Sequence, residues 1–300
     1  MQTRLRAWAG LVVAGMSAAM WVVWHGNTLW DTDERLSRTP LRVGYALEAP
    51  FVYLDADGRV SGESPQVLRA LLRRMGEAEP VWVHQEFSRL SHELLLGRID
   101  VIAAGMFITP ERSRRMAFTR PTVAVRNGLM VKRGNPNRLC ALADLIGQPV
   151  LKLAVIDGAV EAELALASGM AGTQLLTVPD ALTGVAAVRT GKAAALALSA
   201  PSLRWLSRSM DSQVEVLECT EPATVERVGY PAFAFRLGDA RRDAFDHAIA
   251  SFIGSEEHLR IERDHGMTAD DVELARRWMT TPVRPAASAH KVALTSGVRS

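Results

Sequence analysis

The sequence is poor in the features that would announce most kinds of chemistry. Two cysteines, Cys140 and Cys219, are all that 300 residues contain, too few for a thiolate metal cage or a disulfide-dense scaffold. Both fall within the expected second α/β series of the chain. They either pair in an oxidising compartment or stand as two separate small buried thiols. The seven histidines are scattered without ligand spacing, so nothing nominates a metal site or a cofactor. No glycine-rich phosphate loop and no Ser-His-Asp arrangement can be defended. The net charge is only +2, and the arginines are interspersed with acids rather than gathered in a stripe, which sets nucleic acid aside as a partner. Aromatics amount to 6%, within an ordinary globular mix of 48% hydrophobic and 23% charged residues.

One long apolar run is present. Arg4 and Arg6 precede residues 7–24, after which the chain turns polar at His25-Gly26-Asn27. A basic start followed by an apolar core reads as a secretion signal, either removed or kept as an anchor, over residues 1–30. No cysteine lies near its end, so lipid attachment there is excluded. The body is therefore expected outside the cytoplasm.

The body reads as two successive α/β series. In the first, residues 41–45 form a strand. Ser64 serves as N-cap of a helix with Pro65 in its first turn and Val67, Leu68, Leu71, Leu72 and Met75 on one face. An alternating strand follows over residues 81–87, then a helix over 89–96 ended by Gly97, then a strand over 100–104. The second series begins after Lys132-Arg-Gly-Asn-Pro136. It has strands at 151–156, 174–178 and 193–198 and helices at 159–168 and 181–190, the helices ended by Gly169 and Gly191. A strand-like stretch over 227–236 and a helix over 239–253 return the chain to the first lobe. The expected division is residues 39–130 plus 230–280 for lobe 1, 131–229 for lobe 2, and a flexible tail over 281–300. Ligands of open α/β sheets sit beyond the carboxyl ends of the strands, so both lobes would offer loops to a cleft between them.

Several of those loops resemble a known family. Gly105-Met-Phe-Ile-Thr-Pro-Glu-Arg112, coming after Gly97-Arg-Ile-Asp-Val-Ile-Ala-Ala104, resembles the first-lobe signature of solute-binding proteins that serve polar-amino-acid ABC importers. Asp57-Gly-Arg-Val-Ser-Gly-Glu-Ser-Pro65, Gly158-Ala-Val-Glu161, Pro179-Asp-Ala181 and Phe252-Ile-Gly-Ser-Glu-Glu-His-Leu259 are similar to the ectoine/hydroxyectoine-binding members. These motifs span roughly residues 41 to 270. The resemblance implies a type II periplasmic-binding-protein fold, each lobe a mostly parallel sheet flanked by helices. It also implies a periplasmic, monomeric protein that captures a small zwitterion and delivers it to ABC-importer permease subunits.

The residues themselves suit that ligand. Arg112 follows Thr109-Pro110, which can cap a short helical turn, and its planar fork matches a carboxylate; the family's arginine at this motif holds the ligand carboxylate. Glu48 and Phe51 lie in the loop after the first strand, Phe87 ends the second strand and Phe107 follows the third. Three rings converging on a delocalised cation would contribute roughly 0.5–2 kcal/mol each. Glu48 would neutralise the amidinium of ectoine. From the second lobe, Gly158, Ala159 and Val160 offer backbone N–H groups at a helix start. Glu161 is either a ligand contact or a first-turn acid favoured by the helix dipole. α-Amino-acid binders commonly carry an aspartate on the strand after the Gly-Lys/Arg pair, but residues 191–199 contain no acid. Ser199, which ends that strand, is the remaining second-lobe candidate. Closure would turn on residues 130–133 and 232–236.

Two rival classes stand beside a binding protein. A dehydratase-like enzyme on the same fold would need an acid and a base, for which Glu48 with Glu161 is the only pair available. A membrane-anchored sensor lobe is the other.

Overall fold

The computed structural model describes residues 40–209, 213–217 and 228–280; the apolar run, the proposed tail and Cys219 lie outside the described residues. Among the described residues the chain forms two main sheets, each with three parallel strands at its heart. In the first sheet β1 (Arg42–Tyr45) is flanked in parallel by β4 (Val81–His84) and β5 (Val101–Ile102). A small hairpin of β2 (Tyr53–Leu54) and β3 (Val60–Ser61) lies between β1 and β4 in sequence. β6 (Met116–Phe118) joins the first sheet through β13 (Ala234–Arg236), which runs antiparallel to both β5 and β6. The second sheet contains the parallel strands β8 (Leu153–Ile156), β9 (Leu175–Val178) and β10 (Ala195–Ser199). β7 (Val125–Lys132) runs antiparallel to β10, to β11 (Val214–Val216) and to β12 (Val228–Gly229).

Local chemistry sets most of these elements. Helix Glu63–Met75 buries Val67, Leu68, Leu71 and Leu72 on one face. Its N-cap is Gly62 rather than Ser64, because the Ser64 hydroxyl is turned to the Glu63 carboxylate, 2.6 Å away. Helix Ala181–Arg189 is capped by Asp180, which accepts the Thr183 N–H at 2.7 Å. Helix Phe87–Leu95 starts two residues earlier than the pattern suggested. Phe87 therefore opens a helix instead of ending a strand.

Each sheet carries its own core. Val43, Leu68, Leu71, Phe233, Phe235, Phe245 and Phe252 pack in the first lobe, together with helices Arg241–Phe252, Glu256–Asp264 and Ala269–Thr280. Met130, Val185, Leu196 and Leu203 centre the second. β7 belongs to the second sheet along its whole length, so the chain leaves the first sheet after Phe118 rather than at residue 130. It returns between Gly229 and Ala234, where the expected single strand over 227–236 is broken by Pro231 into β12 and β13. The crossings thus fall between the sheets at 119–124, before the 130–133 expected for closure, and at 230–233, which overlaps the expected 232–236. Cys140 is held in a disulfide. Among the described residues no helix is long and apolar enough to cross a membrane.

Candidate functional site

The two lobes meet across the carboxyl ends of their parallel strands. The first contact comes from the loop after β5. Thr109 accepts the Arg112 N–H at 3.2 Å and Pro110 occupies the first turn of helix Pro110–Ser113, which fixes the base of the Arg112 side chain. The guanidinium donates to the Phe107 carbonyl at 2.9 Å and, across the cleft, to the Gly158 carbonyl at 2.8 Å. It stands 5.7 Å from the centroid of Phe87. Among the described residues it forms no ion pair. Burial lowers its pKa from the ordinary value, and Glu163, Glu161 and Glu111 oppose that shift.

Glu48 supplies the second contact. Its backbone is locked to Val52 by two hydrogen bonds of 2.9 and 3.0 Å, which holds the turn after β1. Its carboxylate accepts the Ser202 hydroxyl of the second lobe at 2.9 Å. Ser202 in turn accepts from Ser199, whose oxygen also receives the Ser202 N–H at 3.2 Å and so caps helix Ala200–Ser209. Ser199 therefore acts on Glu48 through Ser202, one step removed. Burial pushes the Glu48 carboxyl up to about 7, and the Ser202 hydrogen bond restrains the shift.

The third contact is the turn before helix Val160–Ala167. Gly158 approaches the Ser88 backbone so closely that a Cβ there would lie 3.0 Å from Ser88 Cα. Ala159 is the N-cap and supplies no side-chain cap, and within the first turn the Glu161 N–H bonds its own carboxylate. Val160 packs against the first-lobe core, and Phe87 packs reciprocally against the second-lobe core. Glu161 is buried, and its carboxyl is pushed up to about 8 by burial and by the charge of Glu48, against the pull of its own backbone N–H and Arg112.

Of the three phenylalanines expected around the ligand, two are buried with their rings against backbone glycines. Phe51 is 1% exposed and lies in the first-lobe core, its ring so close under Gly105 that a Cβ there would come within 2.7 Å of Cγ. Phe107 is 7% exposed, and its ring lies flush against the Gly229 backbone of β12. The Phe107 carbonyl receives the Arg112 guanidinium, whereas the Phe51 carbonyl accepts the Ser64 N–H at 3.1 Å. Phe87 alone stands at the seam between the lobes. Sequence reasoning missed Ser202, whose only signal was its place three residues after Ser199 at a helix start.

A guanidinium held on two carbonyls and, among the described residues, in no ion pair, with the half-buried Glu48 and the buried Glu161, forms a polar site between two α/β lobes. That combination defines a two-lobed binding protein of the type II periplasmic class. The sequence pattern of the bacterial extracellular solute-binding proteins, family 3, matches residues 41–268, and the chain belongs to that family. A probable amino-acid ABC transporter periplasmic-binding protein of Sinorhizobium fredii is 27% identical over 245 residues, covering 80% of this chain and 81% of that one. The crystal structure of EhuB in complex with hydroxyectoine superposes with a TM-score of 0.73 at 33% identity, covering 83% of this chain and 94% of that one. An ancestral amino acid-binding protein, AncCDT-1, described as a precursor of cyclohexadienyl dehydratase, shares the fold at a TM-score of 0.67 and 23% identity, covering 77% and 97%.

Proposed function

We propose that this protein captures a small zwitterion of the ectoine class in the periplasm and presents it to the permease of an ABC importer, without chemical change to the ligand. The observation that carries the reading is the separation of charge in the cleft. Arg112 keeps its full charge while bonded only to the Phe107 and Gly158 carbonyls, and Glu48 is held ready by Ser202. A ligand carboxylate would take the guanidinium fork, and a cyclic amidinium would take Glu48, with Phe87 beside it. The relative whose solved structure holds hydroxyectoine supports the same ligand class. The acid-free end of β10 fits it too, since a primary α-ammonium would find no carboxylate there.

Closure follows from where these groups sit. Arg112 and Glu48 belong to the first lobe, whereas Gly158, Ser202 and Glu161 belong to the second. A ligand bridging them binds the closed form more tightly than the open one and shifts the population by that difference. A micromolar constant, about −8 kcal/mol, is within reach of one desolvated carboxylate pair and a few further contacts. Calorimetric titration of residues 31–300, stripped of carried-over ligand, against ectoine, hydroxyectoine, proline, glycine betaine, arginine and glutamine tests the reading. One-to-one binding of ectoine or hydroxyectoine with little response to arginine or glutamine is expected. A response to an ordinary amino acid with silence toward ectoine would keep the family and remove the ligand class.

A further inference from the structure

A second line of contact joins the lobes through one helix. Helix Ala200–Ser209 is seated on the second lobe by Leu203 and Leu206, both buried in that lobe's core. From it three side chains reach the first lobe. The Ser202 hydroxyl donates to Glu48 at 2.9 Å, and Arg204 Nη2 donates to the Gly266 carbonyl at 3.4 Å. The Trp205 ring stacks on Tyr53, with centroids 5.1 Å apart and planes 29° from parallel. Ser202 and Trp205 stand at i and i+3, and so share one face of the helix. Their partners are neighbours too. Glu48 and Val52 exchange two backbone hydrogen bonds, and Tyr53 follows Val52 at the start of β2. One helical face of the second lobe is thus matched to one turn of the first. Tyr53 is anchored on its own lobe, because Val52 is buried in the first core and the His265 ring lies 6.2 Å from the Tyr53 centroid. His265 is itself buried, with Nδ1 2.7 Å from the Ile261 carbonyl.

We propose that the Tyr53–Trp205 stack is a latch that holds the lobes together without any ligand, and that Tyr53 and Trp205 are positioning residues for Ser202 on Glu48. Both rings are half-buried, and their contact makes no demand on the charge or shape of what the cleft takes. Tyr53 moves with the first lobe and Trp205 with the second, since each is fixed to a different core. Aromatic pairs attract with centroids about 4.5–7 Å apart, so a relative displacement of the lobes by about 2 Å at this point ends the contact. The latch therefore stabilises the closed form alone, and ligand-free protein keeps a fraction of its molecules closed. Apparent affinity scales with that fraction, because a ligand that binds the closed form must otherwise supply the whole free energy of closing. In the closed molecules helix Ala200–Ser209 already sets Ser202 on Glu48, which leaves less to be ordered on binding. The latch acts on the lobes and not on the ligand, so it stands whichever zwitterion is captured.

The test reads lobe separation in the protein stripped of ligand. Nitroxide labels are placed at Glu77→Cys in the first lobe and Lys192→Cys in the second, with the Cys140 disulfide left intact. Both positions are exposed and precede the amino ends of β4 and β10, away from the cleft. Pulsed dipolar spectroscopy of the parent is expected to show a short-distance, closed population beside an open one. Trp205→Ala and Tyr53→Ala are each expected to lower the ratio of closed to open molecules by about two- to tenfold. The double variant should lower it no further than either alone, because one contact is lost in all three. A role confined to packing within a lobe would instead lower the thermal midpoint and leave the label distances as they were. Unchanged distances in both single variants, or a ligand-free parent with the open distance only, would overturn the latch and leave the zwitterion reading intact. Silence toward ectoine in calorimetry would touch that reading alone, since the labels report on protein without ligand. Should Trp205→Ala fail to fold, Tyr53→Ala decides the matter from the other lobe.

Discussion

At the scale of single residues, the site is built from groups whose partners are deliberately incomplete. Arg112 spends its N–H groups on two carbonyls, which orient the fork without neutralising it. Arg112→Ala is expected to abolish detectable ectoine binding. Removing one side of a desolvated ion pair costs about 3–5 kcal/mol, two to three orders of magnitude or more in Kd. Ser202→Ala should be milder, near tenfold, because it deletes one hydrogen bond to a charged group, worth about 1.5 kcal/mol or somewhat more. Calorimetry reads both. Arg112, Glu48 and the Gly158 turn were legible in the sequence because each sits at a fixed offset from a strand end or a cap. The direction of each phenylalanine ring was not, since a phenylalanine in a strand-end loop can turn inward as easily as toward the cleft. Backbone glycines decide it here. Gly105 and Gly229 clear the space that the rings of Phe51 and Phe107 occupy, and nothing in the spacing of the phenylalanines announces that.

At the scale of elements, the three-strand parallel cores and their helices followed from periodicity and caps, and the misplacements fall at boundaries. Phe87 was assigned to a strand because it continued the alternation of Val81, Val83 and Gln85. The chain instead turns into a helix at that residue, which carries its ring to the seam between the lobes. The expected crossing at residue 130 falls inside β7, which runs unbroken from Val125 to Lys132 within the second sheet. Its partner β12 holds Phe107 in place through Gly229. Gly229→Ala would force a methyl group into that ring, and over-packing of this kind costs about 1–3 kcal/mol. Urea unfolding should show a lower midpoint with an unchanged slope, and ligand affinity should fall as well, because the Phe107 carbonyl positions Arg112.

At the scale of the molecule, a buried polar cluster ties the crossing to the first lobe. Thr122, in the crossing segment, donates to Glu63 at 2.7 Å, and Ser64 donates to the other Glu63 oxygen while accepting the Gly105 N–H. Glu262 and His258 complete the cluster, with His258 Nε2 3.1 Å from a Glu262 oxygen. Burial, together with the charge of a neighbouring carboxylate, pushes both Glu63 and Glu262 above the ordinary carboxylate range, whereas burial lowers His258. A carboxyl raised on folding contributes stability while protonated and loses it as pH rises through the folded value. Above about pH 6.5 an unfolded histidine no longer gains a proton, so the carboxyls act alone there. Thermal stability is therefore expected to decline between pH 6.5 and 8, by about 1.4 kcal/mol per pH unit for each proton retained. Glu262→Gln should flatten that decline in a calorimetric scan.

The capture of a zwitterion between the lobes is the central claim, and a crystal structure of the protein grown with ectoine tests it most directly. The account predicts closed lobes, the ligand carboxylate on the Arg112 fork, and the ring N–H groups on Glu48. Ectoine lying outside the cleft, or bound with its carboxylate turned toward Glu48, would contradict it.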